Sequence, residues 1–240
     1  TIHQVLSTSG RLKQSVTKSS FDAWTKYYVM DENTPNTVVS YYAKGSLIAL
    51  ALDLRIRQFT KHQQSLDDVM YLLWKKHGKL DGTGPGIGIN EDGFKDLVIE
   101  AIGPSFKSTW NQFEKRYIEG TEDLPLKELF GANGFVLKEV PLSVSESVMQ
   151  NLGLRTSSQE GYVKVTHVLD QGSAHQAGVC AGDLIVSIQR ERVTQSNFNT
   201  LLERYRNQAI QMMVFRQDLL VECVVEKSNK LFNKLQITAS

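Results

Sequence analysis

Ser40-Tyr41-Tyr42-Ala43-Lys44-Gly45 is the stretch of this chain whose residue types could do chemistry at a fixed spacing. A tyrosine in the first turn of a helix presents a phenol that stays protonated near neutrality, its ordinary pKa being about 10. Such a group can donate a hydrogen bond to a developing oxyanion or hand over a proton. The same pattern also suits a core tyrosine whose hydroxyl is satisfied by a neighbour. Spacing alone leaves both readings open.

Other reactive side chains are scattered. Cys180 and Cys223 fit no paired metal spacing and read as buried free thiols rather than a bridge. His3, His62 and His77 lie far apart, only His167 and His175 are near each other, and no His is followed by Glu. The chain is therefore expected to bring no metal site of its own. Gly82, Gly84, Gly86 and Gly88 alternate in GTGPGIGIN, but no strand precedes them, no Gly-Lys-Ser/Thr follows, and Pro85 removes a donor amide. A mobile surface loop is expected there.

The tyrosines need a helix to hold them, and TVVSYYAKGSLIALALDLRIRQFT, residues 37–60, supplies one. No charge falls between Lys44 and Asp53, and good helix formers fill the run. Tyr42, Gly45, Ala49, Leu52, Ile56 and Phe59 recur at three- and four-residue steps, which predicts one buried face, narrow at Gly45 and Ala49. Upstream, Ser19 or Ser20 could cap a helix carrying Phe21, Trp24, Tyr27 and Tyr28, followed by a polar turn over 31–36. Downstream, Ser65-Leu66-Asp67-Asp68 reads as a capping box. A helix from Asn90 should close at Gly103-Pro104, and Phe106, Trp110, Phe113 and Tyr117 form the buried stripe of the next.

From Gly131 strand-like runs replace the helical period, at 134–140, 162–169, 183–188, 210–216 and 219–226. One helix interrupts them, capped by Ser196 and presenting Phe198, Leu201, Leu202 and Tyr205. The tail over 227–240 is polar and reads as a surface strap or a frayed end. The fold class is thus multidomain, α plus α+β. A helical unit spans 1–131, a compact mixed unit 132–228, and a tail 229–240.

With 240 residues, 41% hydrophobic and 22% charged, this is an ordinary globular composition. A net charge of +1 gives no footing for nucleic acid or acidic membranes, and no apolar run reaches the roughly 20 residues of a membrane span. The chain opens at Thr1 without a signal pattern, which suggests a piece of something longer. The compartment is not legible from this N-terminus, and a cytoplasmic setting is preferred over a periplasmic one.

The run GSAHQAGVCAGDLIVSI, residues 172–188, resembles bacterial PDZ domains of the permuted, protease-associated type. The resemblance implies that Asn151-Leu152-Gly153-Leu154 is the loop that holds a peptide C-terminus, with Asn151 where many members have Gly. The groove would run between 154–157 and the helix bearing Phe198, Leu201 and Leu202.

The first half resembles the C-terminal lobe of the catalytic domain of the glycyl aminopeptidase family, thermolysin-like zinc metallopeptidases that commonly end in a PDZ domain. QSV at 14–16, SFDAW at 20–24, DENTPN at 31–36, VSYYAKG at 39–45, SLDDVM at 65–70 and GTEDLP at 120–125 carry it. The resemblance implies a zinc held by H-E-x-x-H and a further Glu, all upstream of Thr1, and none in this chain. It also implies removal of small N-terminal residues from peptide substrates. Tyr42 is then the donor to the tetrahedral intermediate, with Tyr41 as fallback because adjacent helical residues point about 100° apart. This piece alone is expected to be inactive. The rival expectation is a non-enzymatic adaptor whose PDZ module recruits peptide tails.

Overall fold

The computed structural model describes residues 1–240 except 79–87, 91, 143–145, 147–149, 171, 228–232 and 240. Most of GTGPGIGIN, where a mobile loop is expected, lies outside the described residues. Helices fill the first half: α1 (Ile2–Leu6), α2 (Val16–Phe21), α3 (Thr34–Thr37), α4 (Tyr41–Phe59), α5 (Leu66–Leu73), α6 (Gly93–Ile102), α7 (Lys107–Phe113) and α8 (Leu126–Ala132). The capping box at Ser65 forms as its sequence demands, with Asp68 returning a bond to the Ser65 backbone. Phe106, Trp110, Phe113 and Tyr117 are buried as the stripe predicts.

Three local expectations are corrected. Ser15, not Ser19 or Ser20, caps α2 by accepting from the Lys18 amide, which frees the buried Ser19 hydroxyl to donate to the Val39 carbonyl. A π-helical turn over Ala23–Tyr27 follows and leaves Phe21 and Trp24 facing out, 85% and 82% exposed. The buried side of α4 is not the Tyr42–Ala49 stripe but Lys44, Leu47, Ile48, Ala51 and Leu54, with Leu52 and Ile56 also buried. The uncharged middle of α4 satisfies two possible faces, and packing against α5 and α8 selects among them.

The second half contains β1 (Phe135–Pro141), β2 (Leu154–Gln159), β3 (Tyr162–Val168), β4 (Leu184–Ile188), β5 (Glu191–Arg192), β6 (Ile210–Arg216), β7 (Leu219–Val225) and β8 (Asn233–Ala239), with helices α9 (Ser173–Gln176) and α10 (Phe198–Tyr205). The main antiparallel sheet runs β2-β3-β4-β6-β7, with β5 paired to β4. β1 stays out of it. Instead β1 pairs with β8 as a separate two-stranded ribbon beside α8 and α1, so the polar tail is a strand that doubles back onto the helical half. Ser196 bonds Thr194 rather than capping α10, which starts after Asn197. Cys223 is buried but Cys180 is exposed, and neither is bridged.

Two apolar cores result, one among the helices and one between the main sheet and its helices. Each fully buried large side chain contributes roughly 1.5–3 kcal/mol. Asn36, buried just before α4, ties the cores together. Its Nδ2 donates to the Val168 carbonyl at the end of β3 (2.8 Å), and its Oδ1 accepts from the Asp170 amide (2.8 Å). Ser9 Oγ donates to the Asp170 carboxylate at 3.2 Å, and Lys13 pairs with the same oxygen. The second half is thereby fixed against the turn that launches α4.

Candidate functional site

The first turn of α4 and the π-helical turn after α2 each carry a pair of adjacent tyrosines, and the fold brings all four together. Ser40 caps α4 by accepting from the Ala43 amide, and it also meets the Tyr27 hydroxyl at 3.1 Å. The Tyr27 ring packs edge-on to Tyr41, with centroids 5.2 Å apart. The Tyr28 hydroxyl lies 3.0 Å from that of Tyr41 and 3.3 Å from that of Tyr42.

Helical geometry predicts that Tyr41 and Tyr42 diverge, so that only one can serve a given point. The structure differs: their rings lie 4.2 Å apart at 32°, and both hydroxyls converge on Tyr28. Phenol side chains are long enough to lean together when a third hydroxyl bridges their tips. Tyr42 is 62% exposed, so its hydroxyl is not sealed in the core.

The hydrogen bonds make the phenols unequal. Tyr28, then Tyr41, stabilise charge on the Tyr42 oxygen and pull its pKa below 10. Tyr41, bonded by Tyr28 and then Tyr42, is pushed above its ordinary value. Lys44, two residues after Tyr42, points the other way. Its buried ammonium donates to the Arg11 carbonyl at 3.0 Å, and burial lowers its pKa. It anchors the helix.

Phe21, Trp24, Val29 and Met30, close to Tyr27 and Tyr28 in the chain, are exposed. Trp24 packs on Tyr28 with centroids 5.1 Å apart. Asp22, bonded first by Lys26 and then by Lys18, has its pKa held down. Sequence reasoning placed Tyr27 and Tyr28 on an apolar helix face and missed their part in the cluster. The doubled Tyr-Tyr at both positions was the available signal. Among the described residues, no three His, Cys, Asp or Glu side chains gather to hold a metal ion.

The proposed peptide groove is built differently from expectation. Leu152, Leu154, Phe198, Leu201 and Leu202 are all under 5% exposed and belong to the sheet core, so their side chains do not line an open groove. The pleat turns Leu154 inward, and the first turns of α10 supply core rather than rim. Gly153 takes a left-handed φ of 71°, and its amide donates to the Gln150 carbonyl instead of standing free. The Asn151 carbonyl accepts from Ser173 at 3.3 Å. Gly172 presses on this loop so closely that a Cβ there would meet the Leu152 carbonyl at 2.6 Å. Among the described residues, the side of β2 away from β3 pairs with no other strand of the main sheet.

A family model described as M61 glycyl aminopeptidase matches residues 1–48, which include the turn of Tyr27 and Tyr28 and the start of α4. A crystal structure of an aminopeptidase N family protein from Idiomarina loihiensis matches with a TM-score of 0.83 and 31% identity, over 99% of this chain. This chain spans 41% of the length of that protein. No curated protein matches the sequence. Among the described residues, no helix is long and apolar enough to cross a membrane.

Proposed function

We propose that this chain, the C-terminal part of an M61-type peptidase, forms one wall of the peptidase's substrate cleft and supplies the phenol that steadies the tetrahedral intermediate. The observation that carries the reading is the exposed Tyr42 hydroxyl, held 3.3 Å from that of Tyr28 at the start of α4. When the carbonyl of a scissile peptide bond is attacked, its oxygen gains charge. A fixed O–H aimed at that oxygen costs no reorganisation at the moment of reaction. Tyr28 holds the phenol in place, and Tyr27, bonded to the helix cap, holds the ring pair.

The apolar face of Phe21, Trp24, Val29 and Met30 supports the same reading. An exposed patch of this kind marks a contact surface. On this proposal it meets the rest of the longer protein, which also carries the zinc and its ligands, so no step assigned to this chain runs through the metal. The substrates are peptides with small N-terminal residues.

The second half completes the proposal as a PDZ-type module over 132–228. The β2-β3-β4-β6-β7 sheet with α9 and α10 supports this reading, as does the stretch from Asn151 to Gly153 that leads into β2. Its would-be ligand-facing side chains are buried, which favours a module that packs against the helical half over one that captures free peptide tails.

The test is peptidase activity on alanyl and glycyl anilides. The full-length protein should cleave them, and the 240-residue chain should not. A full-length protein that cleaves no N-terminal residue would overturn the reading.

A further inference from the structure

Beside the tyrosine cluster, between the two halves, lies a cavity of about 290 Å³ that the proposed chemistry does not use. Its helical side is mostly apolar, with Tyr27, Met30, Pro35 and Val38 among its residues. Tyr27 joins it to the phenols, being in ring contact with both Tyr41 and Tyr42. The opposite side comes from the main sheet, where Arg155 on β2 and His167 on β3 are direct cross-strand partners. Neighbours in that register have Cβ atoms about 5 Å apart, so the two side chains reach one place.

Arg155 is exposed and enters no ion pair among the described residues. Half-buried His167 has its Nδ1 3.0 Å from Thr166 Oγ1. Burial, then Arg155, lowers its pKa, while Glu32 and Asp31 act more weakly the other way. The Asp31 carboxylate is already engaged by the Thr34 hydroxyl and the Asn33 amide. Glu32 is exposed on the same turn. The charged group that lines the cavity is thus a cation without a partner, beside an imidazole that can accept a proton.

We propose that this cavity is a subsite for a peptide carboxylate, received by Arg155 and His167, with the apolar wall taking the stem that carries it. A guanidinium meets a carboxylate with two parallel hydrogen bonds, and an apolar surround strengthens them. The carboxylate could be the C-terminus of a short peptide or an Asp or Glu side chain. Its place next to the phenols makes it a specificity element of the peptidase, and in that respect the inference rests on the function proposed above.

The test titrates this chain with three peptides, followed by calorimetry and by the His167 ring signals in NMR. They are acetyl-Ala-Leu with a free carboxylate, acetyl-Ala-Leu-amide and acetyl-Ala-Glu-amide. At least one carboxylate peptide should bind saturably and raise the His167 titration midpoint, while acetyl-Ala-Leu-amide should not. The better of the two acids identifies the source of the carboxylate. Arg155→Gln, an exposed change that spares both cores, should weaken binding at least tenfold. Equal binding of acetyl-Ala-Leu-amide, no binding by any peptide at millimolar concentration, or no effect of Arg155→Gln would overturn the proposal. None of these readouts needs turnover, so failure here leaves the anilide assay standing, and the reverse holds too.

Discussion

Replacing Asn36 by Ala is the sharpest perturbation of the contact between the halves. Two hydrogen bonds of 2.8 Å disappear at a residue only 4% exposed. Each is worth about 0.5–1.5 kcal/mol net, and the buried Val168 carbonyl left without its partner adds a penalty of about 1–3 kcal/mol. The expected loss is about 2–6 kcal/mol. With a urea slope of about 2–3 kcal/mol per molar, the unfolding midpoint should fall by about 1–3 M. Trp24, Trp74 and Trp110 all lie in the helical half, so their fluorescence follows that half, while far-ultraviolet circular dichroism follows both. Both signals should shift. Asn36→Asp should fare no better, because a second carboxylate would face Asp170 and the Val168 carbonyl would still lack a donor. A midpoint within about 0.2 M of wild type, for a slope in that range, would refute the idea that Asn36 couples the two cores.

Two further outcomes follow from the same physics. Asp183 is 1% exposed and is held by Arg216 through bonds of 2.8 and 2.7 Å, so Arg216→Leu should cost about 3–5 kcal/mol by urea unfolding. Arg216→Lys should recover only part of that, since an ammonium cannot make the forked contact. Lys13 lowers the pKa of Asp170 from 3.8, so its contribution is present above that value and lost as the pH falls through the lower folded value. Melting temperatures measured from pH 5 down to pH 2 should therefore fall less steeply in Asp170→Asn than in wild type.

Much of this architecture is legible locally. The capping box at Ser65, the stop at Gly103 and the aromatic stripe from Phe106 to Tyr117 follow from near-neighbour chemistry, and the structure has them. Long-range choices are not legible. The uncharged run of α4 allows more than one buried face, and neighbouring helices decide that Lys44 goes in while Tyr42 stays out. β8 finds β1 across nearly a hundred residues, which no local pattern in a polar tail announces. Phe198, Leu201 and Leu202 have the same sequence signature whether they line a groove or fill a core, and here they fill it. At the site, the motif singled out Tyr41 and Tyr42. Their convergence on Tyr28 depends on how the turn after α2 folds back, which only the tertiary structure shows.

On the proposed function, one hydroxyl on α4 meets the charge that develops during peptide cleavage. Turnover of full-length Tyr42→Phe on an alanyl anilide tests it most directly, with the urea midpoint as control. The expected kcat is lower by about 10²-fold, with a nearly unchanged KM and an unchanged midpoint. A Tyr42→Phe enzyme with wild-type kcat would contradict it.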